Sequence, residues 1–403
     1  MKNRPIKSHR KNAKSAWRYG LPVLAGLFYF LAIANCSHTR PYYRPGEVSP
    51  PDTAIGAAAV RQRVLLIGDA GGAEAQEPSL AALQAWAAEI PEKTVLIFLG
   101  DNIYPRGLPA ENVPQRAEAE QRLLRQLQAV KVSGARGIFV PGNHDWAKGA
   151  PEGLDNLLRQ EKLVNDFLPG ENNFLPRGGC PGPVAVDLEG VRIIILDTHW
   201  WLHRNRKPSS GCPQGTEDAV LEELKFLLNS AGEREALIAA HHPLVSHGPH
   251  GGFFTWKDHL FPLTNLKRWL WVPLPVIGSL YPLFRWNVVK HDQDLSGERY
   301  RRMVQRISEV FAAQRPLVYA AGHEHSLQVL EGEKAASYLL VSGAGSQTKI
   351  TGVSDGENTL FAHSHTGFMA LDFLAGGRVL LRVVEPGTNG VVFRKWLKGE
   401  GKG

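Results

Sequence analysis

An α/β fold, with helices layered over a largely buried sheet, is the class that this 403-residue sequence predicts. Three observations predict it. Short runs are apolar throughout at 64–67, 94–99, 137–140, 192–196, 236–240, 317–321 and 338–341. Helical periodicity occupies the stretches between them, at 79–89, 115–130, 153–167, 217–230 and 298–314. Gly and Pro are plentiful, 41 and 27 residues, which supplies the turns such alternation needs.

Each element follows from its pattern. A strand with one wet face alternates apolar and polar residues; these runs do not alternate, so both faces are expected to be covered. Strand-like and helical stretches that take turns along the chain form layers rather than separate domains. Residues 368–373 and 378–384 flank Gly376-Gly377 and predict a closing hairpin.

Composition bounds the partners. The chain is 43% hydrophobic and 21% charged, an ordinary globular balance. Its net charge of +7 resides in the leader: Lys2, Arg4, Lys7, Arg10, Lys11, Lys14 and Arg18 occur before any acid, so residues 19–403 sum to zero. No nucleic-acid binding is expected from a body with no net pull on polyanions.

The leader predicts export. Seven basic residues precede an apolar run at 21–34, short for a membrane span but suited to a signal segment, followed by Asn35-Cys36. Cys36 resembles the lipidated residue of bacterial lipoproteins, although Asn35 departs from the usual small residue; an uncleaved anchor is the alternative. Residues 1–36 are thus a signal, lipoprotein or membrane-anchor segment. Residues 37–62 are a linker, 63–384 the main domain and 385–403 a tail. The expected location is the cell envelope or periplasm, tethered to the membrane. Cys180 and Cys212, the two other cysteines, lie in similar Gly/Pro loops and predict a disulfide outside the cytosol, against two free thiols.

Residues 253–289 break the pattern. Four of the ten tryptophans (Trp256, Trp269, Trp271, Trp286) fall there, and Pro262, Pro273, Pro275 and Pro282 prevent one long helix. This aromatic-rich insertion, about 251–297, is either a membrane-docking surface or a lid or subunit contact at the rim of a site.

Five short motifs carry chemistry. They are Gly68-Asp69-Ala70-Gly71-Gly72, Gly100-Asp101-Asn102-Ile103-Tyr104, Gly142-Asn143-His144-Asp145, His241-His242-Pro243 and Gly322-His323-Glu324-His325. Each begins where an apolar run ends, and ligands of α/β sheets bind beyond the carboxyl ends of strands. Carboxylates, an amide oxygen and imidazoles suit iron, zinc or manganese better than calcium. One Asp can bridge two such ions and so serve phosphoryl displacement. Singly, each string is weak evidence; specificity lies in the ordered set.

With these motifs the sequence resembles the calcineurin-like metallophosphoesterases, and among them the small, mammalian-type purple acid phosphatases. Asp69-Ala70-Gly71 replaces the general Asp-x-His, and Tyr104 stands three residues after Asp101, as in the purple group. Similarity continues through 319–328 and 341–345 but leaves out the leader, the insertion and residues 385–403. The resemblance implies a four-layer α/β/β/α sandwich. It implies one metal held by Asp69, Tyr104 and His325, a second held by Asn143, His241 and His323, and Asp101 bridging. The ions would be Fe(III) with Fe(II), Zn or Mn, and a phosphate monoester would be hydrolysed by metal-bound hydroxide. His144 would contact substrate, and His247 would stand near the leaving group, with His250 close by. Asp145 is expected to support its loop or orient His144, and His242 to be structural. The alternatives are a divalent-metal phosphodiesterase or nucleotide or lipid phosphohydrolase with Tyr104 a bystander, and a non-catalytic binding protein on this fold.

Overall fold

The computed structural model describes residues 40–47 and 59–399, apart from positions 73, 171, 209, 266, 268, 334, 388 and 389. The leader and Cys36 lie outside the described residues.

Two mixed sheets form the centre. The first runs β14-β13-β12-β2-β3-β4, from β2 (Val60–Ile67), β3 (Thr94–Phe98), β4 (Arg136–Phe139), β12 (Phe368–Leu374), β13 (Val379–Glu385) and β14 (Gly390–Lys398). The second runs β1-β11-β9-β10-β8-β7-β6-β5. Its strands are β1 (Tyr42–Tyr43), β5 (Val184–Leu188), β6 (Val191–Ile195), β7 (Glu235–Ala239), β8 (Val318–Ala321), β9 (Leu327–Glu331), β10 (Tyr338–Ser342) and β11 (Thr359–His363). In the first sheet β2, β3 and β4 are parallel neighbours. In the second, β6, β7, β8 and β10 are parallel in turn. The carboxyl ends of seven strands therefore share one edge of the sandwich.

Strand alternation separates the layers. On β2, Val64 and Leu66 face the second sheet, where Ile193, Leu237 and Val329 meet them. Leu65 and Ile67 face outward and are covered by helices α1 (Pro78–Ala88), α2 (Arg116–Ser133) and α3 (Gly153–Phe167). The outer face of the second sheet, including Ile194, Ile238 and Tyr319, is covered by α4 (Thr198–Leu202), α5 (Glu217–Asn229) and α8 (Glu298–Ala313). The central strands of both sheets are buried on both faces, which is why they read as unbroken apolar runs. The result is the four-layer α/β/β/α sandwich.

Within the stretch expected as a tail, β14 pairs along β13 and buries Phe393 and Leu397 in the central core. The stretch taken as linker is partly structured, because β1 pairs with β11 and β2 begins at Val60. The insertion folds into short turns, α6 (Trp256–Leu260) and α7 (Leu280–Phe284) with a π-turn at Arg285–Val289. Cys180 and Cys212 are bonded, with Cα atoms 5.6 Å apart.

Candidate metal centre

The five motifs meet at the shared edge because each begins within three residues of a strand's last residue. Their backbone is unusual. Asp69, Asp101 and His323 have φ of 59°, 54° and 67°, the left-handed region that L-residues with side chains avoid. Such conformations cost of order 1–3 kcal/mol each and persist where the surroundings over-determine them, most often at functional sites. The neighbouring glycines are required by contact. A Cβ on Gly142 would lie 2.3 Å from Asp101 Oδ1, and one on Gly322 would lie 2.6 Å from Asp69 Oδ2.

All seven expected ligand residues come together. In one half, Tyr104 Oη donates to Asp69 Oδ1 at 2.8 Å and lies 3.0 Å from His325 Nε2, which is 3.3 Å from the same carboxylate oxygen. In the other, His241 Nε2 is 2.9 Å from Asn143 Oδ1, and His323 Nδ1 is 3.2 Å from that oxygen and 3.3 Å from His241 Nε2. Asp101 lies between the halves. Its Oδ1 is 3.4 Å from His241 Nε2, and ligand atoms of Asp69, Asp101 and His241 lie within 4.8 Å of one another.

The outer nitrogens decide what faces inward. His241 Nδ1 is 2.8 Å from Leu99 O, His325 Nδ1 is 2.8 Å from Lys349 O, and His323 Nε2 is 2.8 Å from Gln293 O. A carbonyl only accepts, so each of these nitrogens carries the proton and donates it. On the neutral rings of His241 and His323 the inward nitrogen is then a bare lone pair, the orientation that metal-binding histidines take. Burial, followed by neighbouring histidines, holds His323 well below its ordinary pKa; burial also lowers His241. Burial pushes Asp101 well up, with Asp69 and Asp145 adding to it. Burial opposes ionisation of Asp69, but hydrogen bonding and charge from His325 outweigh it and its pKa is lowered. Buried carboxylate oxygens and imidazole lone pairs pointed at one another repel unless a cation lies among them. The donor set therefore fits hard or borderline cations.

The other motif residues have defined places. His144 Nδ1 donates to Pro105 O at 2.7 Å, leaving Nε2 over Asp101 Oδ2 at 3.8 Å. Asp145 does not orient His144. It accepts from the backbone N–H of Gly142, Asn102 and Ile103 and so ties the loops after β3 and β4 together; burial nevertheless raises its pKa to about 7. His242 is buried between Thr198 Oγ1 and Gln293 Oε1, at 2.9 and 3.0 Å.

His247 is not among the residues lining the cleft above the cluster. Its Nε2 is 3.0 Å from Asn358 Oδ1 and its ring packs on Phe253. His250 occupies the rim instead, its ring 4.2 Å from that of His323. Glu324 causes this placement: its Oε2 accepts from Ser246 Oγ at 3.0 Å and from His250 N at 2.9 Å, pinning the loop. Asp294 holds the ring through Nδ1 at 2.8 Å and also receives Arg285. Burial opposes a charge on His250, but Asp294 outweighs it and its pKa is raised. The spacing of His250 from His241 was visible in the sequence; Glu324 and Asp294 carried no local signal of this role.

The cleft has a volume of about 1030 Å³. Lys148 and Lys290 line it with Asn143, His144 and His323, while Arg204 on the same wall is paired with Asp292.

The family model for calcineurin-like phosphoesterase matches residues 62–327. No curated protein matches the chain. Among solved structures, GAP50, the anchor in the inner membrane complex of Plasmodium, is 15% identical with a TM-score of 0.50, covering 85% of this chain and 90% of that one. The purple acid phosphatase PPD1 from yellow lupin (Lupinus luteus) seeds is also 15% identical, with a TM-score of 0.48, covering 83% of this chain and 53% of that one. The family match spans well over half of the 403 residues, and the chain belongs to the calcineurin-like phosphoesterase family.

Proposed function

We propose that the chain is a dinuclear metal-dependent phosphatase acting on phosphate monoesters, with Asp69, Tyr104 and His325 holding Fe(III), Asn143, His241 and His323 holding Fe(II), Zn or Mn, and Asp101 bridging. One observation carries this choice within the family: the Tyr104 hydroxyl lies inside the cluster, against Asp69 Oδ1 and His325 Nε2. A phenolate is a hard anionic donor and favours a trivalent ion. Burial, with Asp69 and Asp101, raises the phenol pKa well above its ordinary value, so only a strong cation at this place would take up the phenolate.

When bound, the ions supply Lewis acidity, an activated water and charge neutralisation for the phosphoryl oxygens. The chain's own groups supply positioning and protons. His144 is pushed well below its ordinary pKa, first by burial and then by Lys148, so it is neutral, and its inward Nε2 is an acceptor. His250 is pushed the other way, and with Nδ1 committed to Asp294 it keeps Nε2–H as a donor toward a leaving-group oxygen. Opposed environments for two histidines on one cleft are the arrangement general acid–base catalysis uses. Lys148 and Lys290 on the walls attract the dianionic ester. The Cys180–Cys212 bond supports an oxidising compartment, and with the apolar stretch at 21–34 we assign the protein to the cell envelope, tethered through its leader.

Iron-loaded, aerobically purified protein should show a broad visible absorption and hydrolyse an aryl phosphate. Tyr104→Phe should lose the band while keeping its circular dichroism. A colourless iron-loaded wild type, or unchanged colour in the Phe variant, would assign the site to two divalent ions and a diesterase-type reaction.

A further inference from the structure

Exposed apolar surface is concentrated in one segment. Of the fifteen exposed large hydrophobic residues among the described ones, eleven lie between Trp256 and Val289. Trp269 is 71% exposed, and Trp271, Ile277, Leu280, Phe284 and Val288 are each more than half exposed. Ile277, Leu280, Phe284 and Val288 follow one another at intervals of three and four along consecutive helical turns, so they form one stripe. Such a stripe ordinarily faces a core; this one faces away from it. The segment's inner side is already packed: Phe254 and Pro282 are buried, and Arg285 is tied to Asp294. A soluble monomer rarely shows an apolar surface of this density without a partner for it.

Charge and chain connectivity say what the partner is. Residues 251–290 contain five cationic side chains, Lys257, Lys267, Arg268, Arg285 and Lys290, against one acid, Asp258. Lys257 lies over the Trp271 ring at 5.7 Å and Lys267 over Trp269 at 5.8 Å, so cations and indoles share the same outer surface. Exposed indoles interleaved with lysines suit the boundary between anionic headgroups and acyl chains. The apolar run at 21–34 ends six residues before the first described residue, Arg40, which keeps the domain within reach of a bilayer. No helix among the described residues is long and apolar enough to cross a membrane.

The same segment builds the cleft wall. Phe284 and Val289 are exposed and line the cleft, beside Lys290. We propose that residues 256–289 dock on an anionic bilayer and that the substrate is a phosphate monoester carried on a lipid, its phosphate reaching the cluster past Lys290 while its acyl part stays against Phe284 and Val289. The substrate assignment rests on the phosphatase function proposed above; the docking does not.

The test uses the full chain in vesicles whose phosphatidylcholine carries brominated acyl chains, with and without phosphatidylglycerol. It is compared with the triple variant Ile277→Glu, Leu280→Glu, Val288→Glu, whose positions lie outside the cleft lining. Tryptophan fluorescence of the wild type should be quenched roughly twofold more than that of the variant, and more so with the anionic lipid. Equal quenching of the two proteins overturns the docking, whatever the catalytic result. So does a variant that only changes from dimer to monomer, which would make the stripe a contact between copies. The metal-loaded proteins are then given phosphatidate in vesicles and a soluble aryl phosphate. Vesicle turnover should fall about tenfold in the variant while aryl phosphate turnover is unchanged. A parallel fall, or none, overturns the lipid substrate. Failure of wild type on both substrates would count against the phosphatase assignment and with it the lipid substrate, while the quenching result stands by itself.

Discussion

Asp294→Asn is the substitution that best separates the construction of this site from its chemistry. Asp294 is buried and receives His250 Nδ1 at 2.8 Å, Arg285 Nε at 2.9 Å and Arg285 Nη2 at 2.6 Å. Burial alone would raise its pKa, yet the hydrogen bonds from His250 and Arg285 outweigh it and lower the group from 3.8 to about 2. At about 1.4 kcal/mol per tenfold, that depression corresponds to about 2 kcal/mol of stability. Its sign is fixed. A carboxylate with a lowered folded-state pKa stabilises above its unfolded pKa, and the contribution is lost as pH falls through the folded value. The window is therefore about pH 4 down to about pH 2. The Asn variant also leaves Arg285, about a quarter exposed, facing an amide, which adds to the loss. The expected cost near neutral pH is about 2–3 kcal/mol. Urea unfolding in the presence of a chelator, followed by tryptophan fluorescence, measures it without a metal contribution. Because Asp294 also raises His250, the gap between wild type and variant should widen as pH falls from neutral and His250 protonates, and should then shrink below about pH 4 as Asp294 itself protonates. A variant within about 0.5 kcal/mol of wild type near neutral pH, or a gap unchanged down to about pH 2.5, would refute the assignment of Asp294 as the anchor of this loop.

Three further outcomes are expected. Asp101→Asn should abolish aryl phosphate hydrolysis and lower the metal content measured by elemental analysis without changing the far-ultraviolet circular dichroism; near-normal turnover would sink the bridging role. His250→Ala should reduce kcat by about 10²–10⁴ while His247→Ala leaves it within a few-fold, the ordering that their places relative to the cleft require. Breaking the Cys180–Cys212 bond, which spans 32 residues, with a double Ser variant should lower unfolding stability by about 3–4 kcal/mol; an unchanged urea midpoint would show that this loop is already constrained by other contacts.

The sequence was legible where one local pattern determined one local structure. Apolar runs announced β2, β3, β4, β6, β7, β8 and β10 because both faces of each are covered, and the ligand motifs were visible because each sits at the end of such a run. Edge strands left a fainter mark. Val184–Leu188 is only half-buried, and Gly390–Lys398 mixes Arg394, Lys395 and Lys398 into its apolar positions because one side meets solvent. Of the apolar alternation that remained in β14, Phe393 and Leu397 turned out to be the buried pair.

His247 and His250 show where local pattern ends. Both stand three residues apart on one loop, and sequence spacing admits either one at the rim. What selects His250 is distant: Glu324 accepts its N–H from 74 residues away, and Asp294 takes its ring nitrogen from 44 residues away. A Cβ on Gly248 would lie 2.3 Å from Glu324 Cδ, so the loop can approach that carboxylate only with glycine there. The loop turns at this point, which carries His247 round to Asn358 and brings His250 back over His323. Glu324 sits between His323 and His325, so the residue that fixes the rim histidine is carried by the same strand-end motif as two of the cluster's imidazoles. A shift of that motif would move the cluster and His250 together, which makes their relative position insensitive to movements of the outer loops.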